Sequence, residues 1–411
     1  MEFLARMPSD NAEPGSSAST RRIAVVTTSR ADYGHLVWPL RALREAPGID
    51  LRILAMAAHL APTFGNTVER IRADGFDVEA ELECLLDSDS DVGMAKTIGL
   101  ATLSLADALG RLRPDLLLLI ADRYEMLAPA SAALALRIPV AHIEGGEISE
   151  GAVDDAVRNA LTKMAHLHFA PTRNAARRIR AMGEEAWRVH FSGAPSLDHL
   201  VKSELPDRTA LESRLGIDLV EPPIVVSCHP VTLQADPSAD ALAVCEALVD
   251  ADRPLVFCFP NADTGHARII ERARELCAGH PNRRLFTHLD HLDYWGLLRN
   301  AAMLVGNSSS GIMETPSLGL PCVDVGRRQH RRERAANIVG VPADAGAIRR
   351  AIERAGDPAF RASLDGLDNP YGDGRAAERI AEVLINVPLG ERLLVKRAPD
   401  LADGDPPRFE A

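Results

Sequence analysis

Two successive series of short, continuous apolar runs, each run followed by a stretch of helical period, constrain this chain more than any other feature. In the first half the runs are Ile23 to Thr28, Leu51 to Ala57, Leu116 to Ile120, Ile138 to Ile143 and His166 to Ala170. Strands that are apolar on both faces and separated by helices belong to a parallel sheet covered on both sides. The helices are legible too: Leu105, Ala108, Leu109 and Leu112 keep an i, i+3, i+4, i+7 stripe, as do Val153, Ala156, Val157, Ala160, Leu161 and Met164. After Gly193, Ala194 and Pro195 the pattern loosens as far as Glu221, Pro222 and Pro223, and a second series begins. Its strands are Ile224 to Cys228, Leu255 to Phe259, Arg284 to Thr287, Met303 to Val305 and Cys322 to Val325. The expected class is α/β, with two doubly wound, Rossmann-like domains and a ligand cleft beyond the carboxyl ends of their strands.

Composition narrows the function. A chain of 411 residues is long enough for two ordinary domains, and 46% hydrophobic with 25% charged residues is the balance of a globular protein. The net charge of −12 argues against nucleic acid or an anionic membrane as partner, since both need a basic footprint. The six cysteines form no C-x-x-C pair and lie mostly in apolar runs, which suits a reduced cytoplasm. Residues 1–20 lack the basic and apolar regions of a secretory signal and read as a flexible leader. No run is expected to approach the roughly twenty apolar residues of a membrane span.

Candidate chemistry sits just after the strands. Arg30 follows the first strand, where a guanidinium can grip a phosphate in two-pronged fashion; the plain alternative is a surface arginine capped by Asp32. The third strand runs into Asp122, Arg123, Tyr124 and Glu125: Asp122 either faces the cleft or caps the next helix with Glu125 closing a capping box. His142, Ile143, Glu144, Gly145, Gly146 and Glu147 end the fourth strand, and paired glycines there permit close approach of a ligand beside the acids. On the following helix Asp154 and Arg158 are four apart, so a simple helix-face ion pair is an alternative to function.

In the second half His229 ends a strand before Pro230, and Asn261 follows the next strand. Gly306 to Gly311, with Asn307, Ser308, Ser309 and Ser310 between, leads from a strand into a helix and offers amides and hydroxyls to a diphosphate. Glu314 then suits ribose hydroxyls. Arg327, Arg328, His330, Arg331, Arg332 and Arg334 form the dense basic cluster, of which one or two should face the diphosphate. The G-x-G-x-x-G, P-loop, H-E-x-x-H and G-x-S-x-G patterns are missing, so nicotinamide, ATPase, zinc and serine-hydrolase chemistry lose support. No metal-ligand cluster stands out and no cofactor is expected.

Taken together the motifs resemble the UDP-N-acetylglucosamine 2-epimerase family, in particular its hydrolysing branch that feeds sialic and legionaminic acid synthesis. The resemblance runs from about Ile23 to Leu384 and rests on TSRADYG at 28–34, HLAPTFGNT at 59–67, DRYE at 122–125, HIEGGE at 142–147 and GAVDD at 151–155. It continues in CHPVT at 228–232, PNAD at 260–263, GNSSSG at 306–311 and NPYGDG at 369–374. It implies a GT-B-like fold with a first domain over 21–200, a nucleotide-binding domain over 201–374, a last helix within 375–388 returning to the first domain, and a polar tail over 389–411. It further implies an elimination: UDP and the C2 proton leave opposite faces to give 2-acetamidoglucal, and water then adds to release N-acetylmannosamine. Asp122, Glu144, Asp154 and His229 would be catalytic, and Arg30, His59, Arg123, Asn261, Ser308, Ser309, Gly311, Glu314 and Arg328 would bind substrate. Two departures stand out: Ala121 where the family usually has Gly, and Asn159 where it commonly has His. The alternatives are the same reaction on UDP-2,4-diacetamido-2,4,6-trideoxyglucose, a GT-B glycosyltransferase, or a sugar-nucleotide sensor without turnover. A homo-oligomer, dimer or tetramer, is expected, although no segment marks its interface.

Overall fold

The computed structural model describes residues 20–398 apart from 87, 89, 259, 261, 262 and 288. Seven parallel strands make the first sheet: β1 (Arg21–Thr27), β2 (Ile49–Met56), β3 (Val78–Leu82), β4 (Leu116–Ile120), β5 (Val140–Ile143), β6 (Leu167–Ala170) and β7 (Val189–Phe191), in the order β3-β2-β1-β4-β5-β6-β7. Six more make the second: β8 (Ile224–Ser227), β9 (Leu255–Cys258), β10 (Arg283–Phe286), β11 (Met303–Gly306), β12 (Cys322–Val325) and β13 (Ile338–Val341), in the order β10-β9-β8-β11-β12-β13. The central strands are buried throughout, β4 as Leu-Leu-Leu-Leu-Ile and β8 as Ile-Val-Val-Ser, because helices cover both faces of each sheet. Strand order reverses between β1 and β4 in one sheet and between β8 and β11 in the other. Such reversals leave a crevice at the carboxyl ends.

The chain crosses between the domains after helix Asp198–Lys202 and resumes at helix Arg208–Leu215. The expected boundary at 200/201 therefore falls inside a helical turn, whose Leu197 and Asp198 are buried against neighbouring elements. Helix Ala376–Asn386 comes back to the first domain, where Ala376, Ile380, Ala381 and Leu384 join the core that holds Leu36 and Leu40. Burying Ile380 and Leu384 is worth roughly 1.5–3 kcal/mol each. The helix is held at its start by Asp198, whose carboxylate accepts from the Ala376 and Ala377 amides, and at its end by Arg21, which donates to Leu384 and Val387 carbonyls.

Two expectations need correction. The polar tail was drawn from 389, yet helix Glu391–Leu394 buries Leu393 in the first core, and Arg188 donates to the Arg392, Leu393 and Val395 carbonyls. One apolar side chain and a buried guanidinium suffice to dock a segment that looks polar in sequence. Helix Asp91–Leu112 also has the length and apolar composition of a membrane span, against the expectation that no run comes close. Its inner side, with Ala101, Leu105, Ala108 and Leu109, packs into the first core.

Candidate active site

The carboxyl ends of both sheets face one cleft. On the first wall, helix Arg30–Glu45 begins where Asp32 accepts from the Thr28 and Ser29 amides at 2.6 and 2.7 Å, a capping arrangement that fixes the turn after β1. Asp32 thus caps the helix rather than Arg30. Arg30 reaches across the cleft to donate to the Thr287 carbonyl at 2.6 Å, and burial lowers its pKa. Asp122, after β4, bonds to the Arg158 guanidinium and accepts from Ser149 Oγ at 3.2 Å. The capping box with Glu125 does not form; Glu125 instead takes Arg123 at 2.6 Å. Glu144, after β5, has a backbone φ of +65° and accepts from His35 Nδ1 at 2.7 Å.

His35 is the residue that sequence reasoning missed. Its other nitrogen, Nε2, lies 3.6 Å from Glu314 of the second domain, so one imidazole joins two buried carboxylates across the cleft. Burial would lower the His35 pKa, but Glu144, Glu314 and Asp32 together push it up to about 9. Burial would likewise raise Glu144, and the charge and hydrogen bond of His35, with Arg332 behind, bring it below the usual value instead. The pair therefore stands as imidazolium and carboxylate at neutral pH.

On the second wall, Asn307 grips the backbone of His229 from both sides, accepting from its amide at 2.7 Å and donating to its carbonyl at 2.9 Å. Burial and the charges of Arg328, Arg123 and Arg30 hold the His229 pKa well below the ordinary value, so its ring is neutral. Ser308 and Ser309 line the cleft from the turn after β11. That turn is possible because Gly306 has φ +147° and its missing Cβ would stand 2.0 Å from the Ser227 carbonyl oxygen. The helix it opens is short, Ser310–Met313. Tyr294 donates to Ser310 at 2.7 Å and Ser310 to Glu314 at 2.5 Å, which orients the carboxylate that His35 approaches.

Of the basic cluster, Arg328 and Arg332 reach the cleft. Arg328 bonds to Asp154 at 3.2 Å, and Arg332 donates to the Ile148 carbonyl at 2.6 Å. Arg327 and His330 pair with Glu150 at the surface, and Arg334 pairs with Asp324. The helix-face pair of Asp154 with Arg158 is absent, each residue having found a partner on another element.

Three sequence candidates lie elsewhere. His59 is fully buried outside the cleft lining, with both nitrogens taken by the Thr27 and Thr67 hydroxyls, and burial lowers its pKa to about 4. It staples the end of β1 to the following segment. Gly311 is likewise outside the lining: a Cβ there would meet Cys322 Sγ at 2.6 Å, so its smallness serves packing. Asp154 stands behind Arg328, also outside the lining. Asn261 lies outside the described residues. Arg123 lines the cleft, 3.8 Å from Asp263, which burial, offset only in part by Arg123, pushes up to about 6.

The family model described as UDP-N-acetylglucosamine 2-epimerase matches residues 41–385. The chain belongs to the UDP-N-acetylglucosamine 2-epimerase family. A UDP-N,N'-diacetylbacillosamine 2-epimerase (hydrolyzing) of Legionella pneumophila is 36% identical over 92% of this chain and 98% of its own length. A GDP/UDP-N,N'-diacetylbacillosamine 2-epimerase (hydrolyzing) of Campylobacter jejuni is 32% identical over 78% of this chain and 84% of its own. The solved UDP-GlcNAc 2-epimerase from Neisseria meningitidis, bound to UDP-GlcNAc, superposes with a TM-score of 0.74 at 18% identity, covering 89% of this chain and 99% of that one. The fold is GT-B-like. Within a 2-epimerase framework both departures acquire a physical meaning. Ala121 has φ +60°, a left-handed conformation costing a residue with a Cβ about 1–2 kcal/mol, which is why glycine suits the position. Asn159 donates to Asp155 at 3.3 Å, an ordinary contact along its helix.

Proposed function

We propose that this epimerase is of the hydrolysing kind, releasing UDP and a 2-epimerised 2-acetamido sugar. The observation that carries the proposal is the pairing of two cleft carboxylates, half-buried Asp122 and buried Glu144 at the ends of adjacent strands, with a far wall of Arg328, Ser308, Ser309 and neutral His229. A sugar C2 hydrogen is not acidic, so the C1–O bond must break ahead of proton loss and charge the ring positively. Ionised carboxylates stabilise that charge and then take the C2 proton. Guanidiniums and hydroxyls stabilise the departing diphosphate. Arg158 Nε and Nη1, and Arg328 Nε, are buried without a hydrogen-bond partner among the described residues, as expected of groups awaiting an anion. Its negative charge would raise the His229 pKa and equip that ring to protonate the leaving oxygen.

The two relatives at 36% and 32% identity carry diacetylbacillosamine in their names, which favours a 2,4-diacetamido-2,4,6-trideoxy sugar over the N-acetylglucosamine that the sequence put first. Incubation with each UDP-sugar separately in D2O, followed by NMR, tests both questions. Free UDP and a free sugar deuterated at C2 are expected from the true substrate, without any acceptor. Recovery of an epimerised UDP-sugar would place the chain with the non-hydrolysing enzymes, and absence of C2 deuterium would refute elimination. Binding without turnover would make it a sensor. The free cysteines support a reducing, cytoplasmic setting, and we further propose that the enzyme works as a homo-oligomer.

A further inference from the structure

We propose that His35 is a positioning residue that ties the two halves of the cleft together. Through Nδ1 it fixes Glu144, and through Nε2 it faces the nucleotide seated against Glu314, so that binding of a nucleoside diphosphate and protonation of His35 reinforce one another. This rests on Glu144 working at the sugar C2 and Glu314 meeting the ribose. Helix Arg30–Glu45 brings the ring to the cleft, where its side chain remains 20% exposed. The 2.7 Å contact of Nδ1 takes one oxygen of Glu144 and leaves the other for the substrate. Glu144 sits on a left-handed backbone with φ +65°, so its carboxylate is aimed by the turn and by His35 together. On the other side Nε2 is 3.6 Å from Glu314 Oε1, beyond hydrogen-bonding distance, and its N–H is open to whatever occupies the gap. The Glu314 carboxylate is not free to turn and close that gap, because Ser310, itself held by Tyr294, donates to Oε2.

Electrostatics gives the coupling its sign. The charged groups facing His35 are Glu144 from the turn after β5, Glu314 from the second domain and Asp32 from its own helix, and together they outweigh burial and favour the protonated ring. The neighbouring imidazoles do not compete for that proton. His199, which donates to or accepts at the start of the same helix through the Gly34 carbonyl and Ser203, is lowered by burial to about 3, and His291, 4.7 Å from it, to about 4. Across the cleft His229 is neutral, and burial pushes the Cys258 thiol up to about 12. A diphosphate adds negative charge to the cleft and raises the proton affinity of His35 further. Linkage makes the effect reciprocal: each unit by which the nucleotide raises the His35 pKa is about a factor of ten in nucleotide affinity. That factor is present while His35 is protonated and is lost as pH rises past about 9.

Calorimetry of UDP binding to the full chain at pH 9, repeated in two buffers of different ionisation enthalpy, reads the protons taken up. The parent should take up a measurable fraction of a proton more than His35→Gln; the uracil N3–H also ionises in this range, but it contributes equally to both. UDP should bind His35→Gln about tenfold more weakly at pH 7, and the difference should narrow by pH 10. His35→Lys, whose charge persists at pH 9, should bind UDP like the parent at pH 7 yet show the low uptake of His35→Gln. In turnover, the acid limb of kcat should move up by about one unit in His35→Gln, as Glu144 loses its cation, and return in His35→Lys. A residue that merely joined the domains would lower stability or kcat without moving either readout. Equal proton uptake by the parent and both variants, or an acid limb that stays put in His35→Gln, would overturn the proposal. If circular dichroism shows His35→Gln unfolded, His35→Lys decides alone, and parent-like uptake in it would overturn the proposal. A proton difference without turnover of either UDP-sugar would support the coupling and count against the hydrolysing function instead.

Discussion

At the residue scale, the cleft works through acids kept charged by partners. Glu144→Gln keeps size and hydrogen bonding but removes the charge, so UDP affinity should change little while turnover falls by about 10²–10⁴. Isothermal titration with UDP beside a steady-state assay separates the two effects, and unchanged turnover would remove Glu144 from the mechanism. His35 makes a pH-dependent prediction. Its folded pKa, about 9, is above its unfolded value, so its stabilisation is fully present below the unfolded value and is lost as pH rises through about 9. Glu144 is depressed, so its contribution is present above the unfolded carboxylate value and is lost as pH falls. The groups facing His35 are Glu144, Glu314 and Asp32, all acidic, and each favours its charged form. Urea midpoints at pH 7 and pH 10 should show the gap between parent and His35→Gln closing at the higher pH, by on the order of 3 kcal/mol. An equal gap at both values would mean that His35 is uncharged in the folded protein.

At the scale of elements, what was legible depended on burial geometry. The central strands are apolar on both faces and were recognisable as continuous runs. β3, β7 and β13 were not: Val-Glu-Ala-Glu-Leu of β3 alternates between half-buried and exposed, β7 is three half-buried residues, and β13 includes exposed Gly340. β3, β7 and β13 lie at sheet edges, where one side meets solvent and no continuous apolar run is required. The returning helix illustrates a different dependence. Its first two amides are satisfied by Asp198, a fully buried residue far away in sequence whose carboxylate also meets Lys202 at 3.0 Å. Asp198→Ala should destabilise the fold by about 1–3 kcal/mol, since those amides would then be buried without acceptors. A urea midpoint unchanged from the parent would mean that water replaces the carboxylate at no cost.

At the scale of the molecule, the second domain clasps the first through the loop after β12 and through Tyr371, just before the returning helix. The Arg328 carbonyl accepts from the Glu150 amide, Arg332 donates to the Ile148 carbonyl, and Tyr371 donates to Glu147 at 3.1 Å. Gly146 lets the other side of this joint close up: its φ is +78°, and a Cβ would stand 2.3 Å from the Ala175 carbonyl oxygen. Arg332 belongs both to the clasp and to the cleft lining. Arg332→Gln should therefore raise KM for the nucleotide sugar by about tenfold or more with a smaller change in kcat, because these inter-domain contacts hold the wall of Arg328, Ser308 and Ser309 opposite the acids. A kcat loss with KM unchanged would instead assign Arg332 to the chemical step.

By itself the sequence determined the two parallel sheets, their helices and the positions of Arg30, Asp122, Glu144, His229, Ser308 and Arg328 at strand ends, because periodicity and strand-end placement are local properties. Tertiary structure alone decided the partners. His35 meets Glu144 across 109 positions, Arg328 meets Asp154 across 174, and Tyr371 meets Glu147 across 224. It also withdrew His59 and Gly311 from the cleft, since a motif shows that a residue is needed but not whether it touches ligand or neighbour. Charge state, orientation and closure come from those distant pairings, and residues so far apart along the chain leave no period in it.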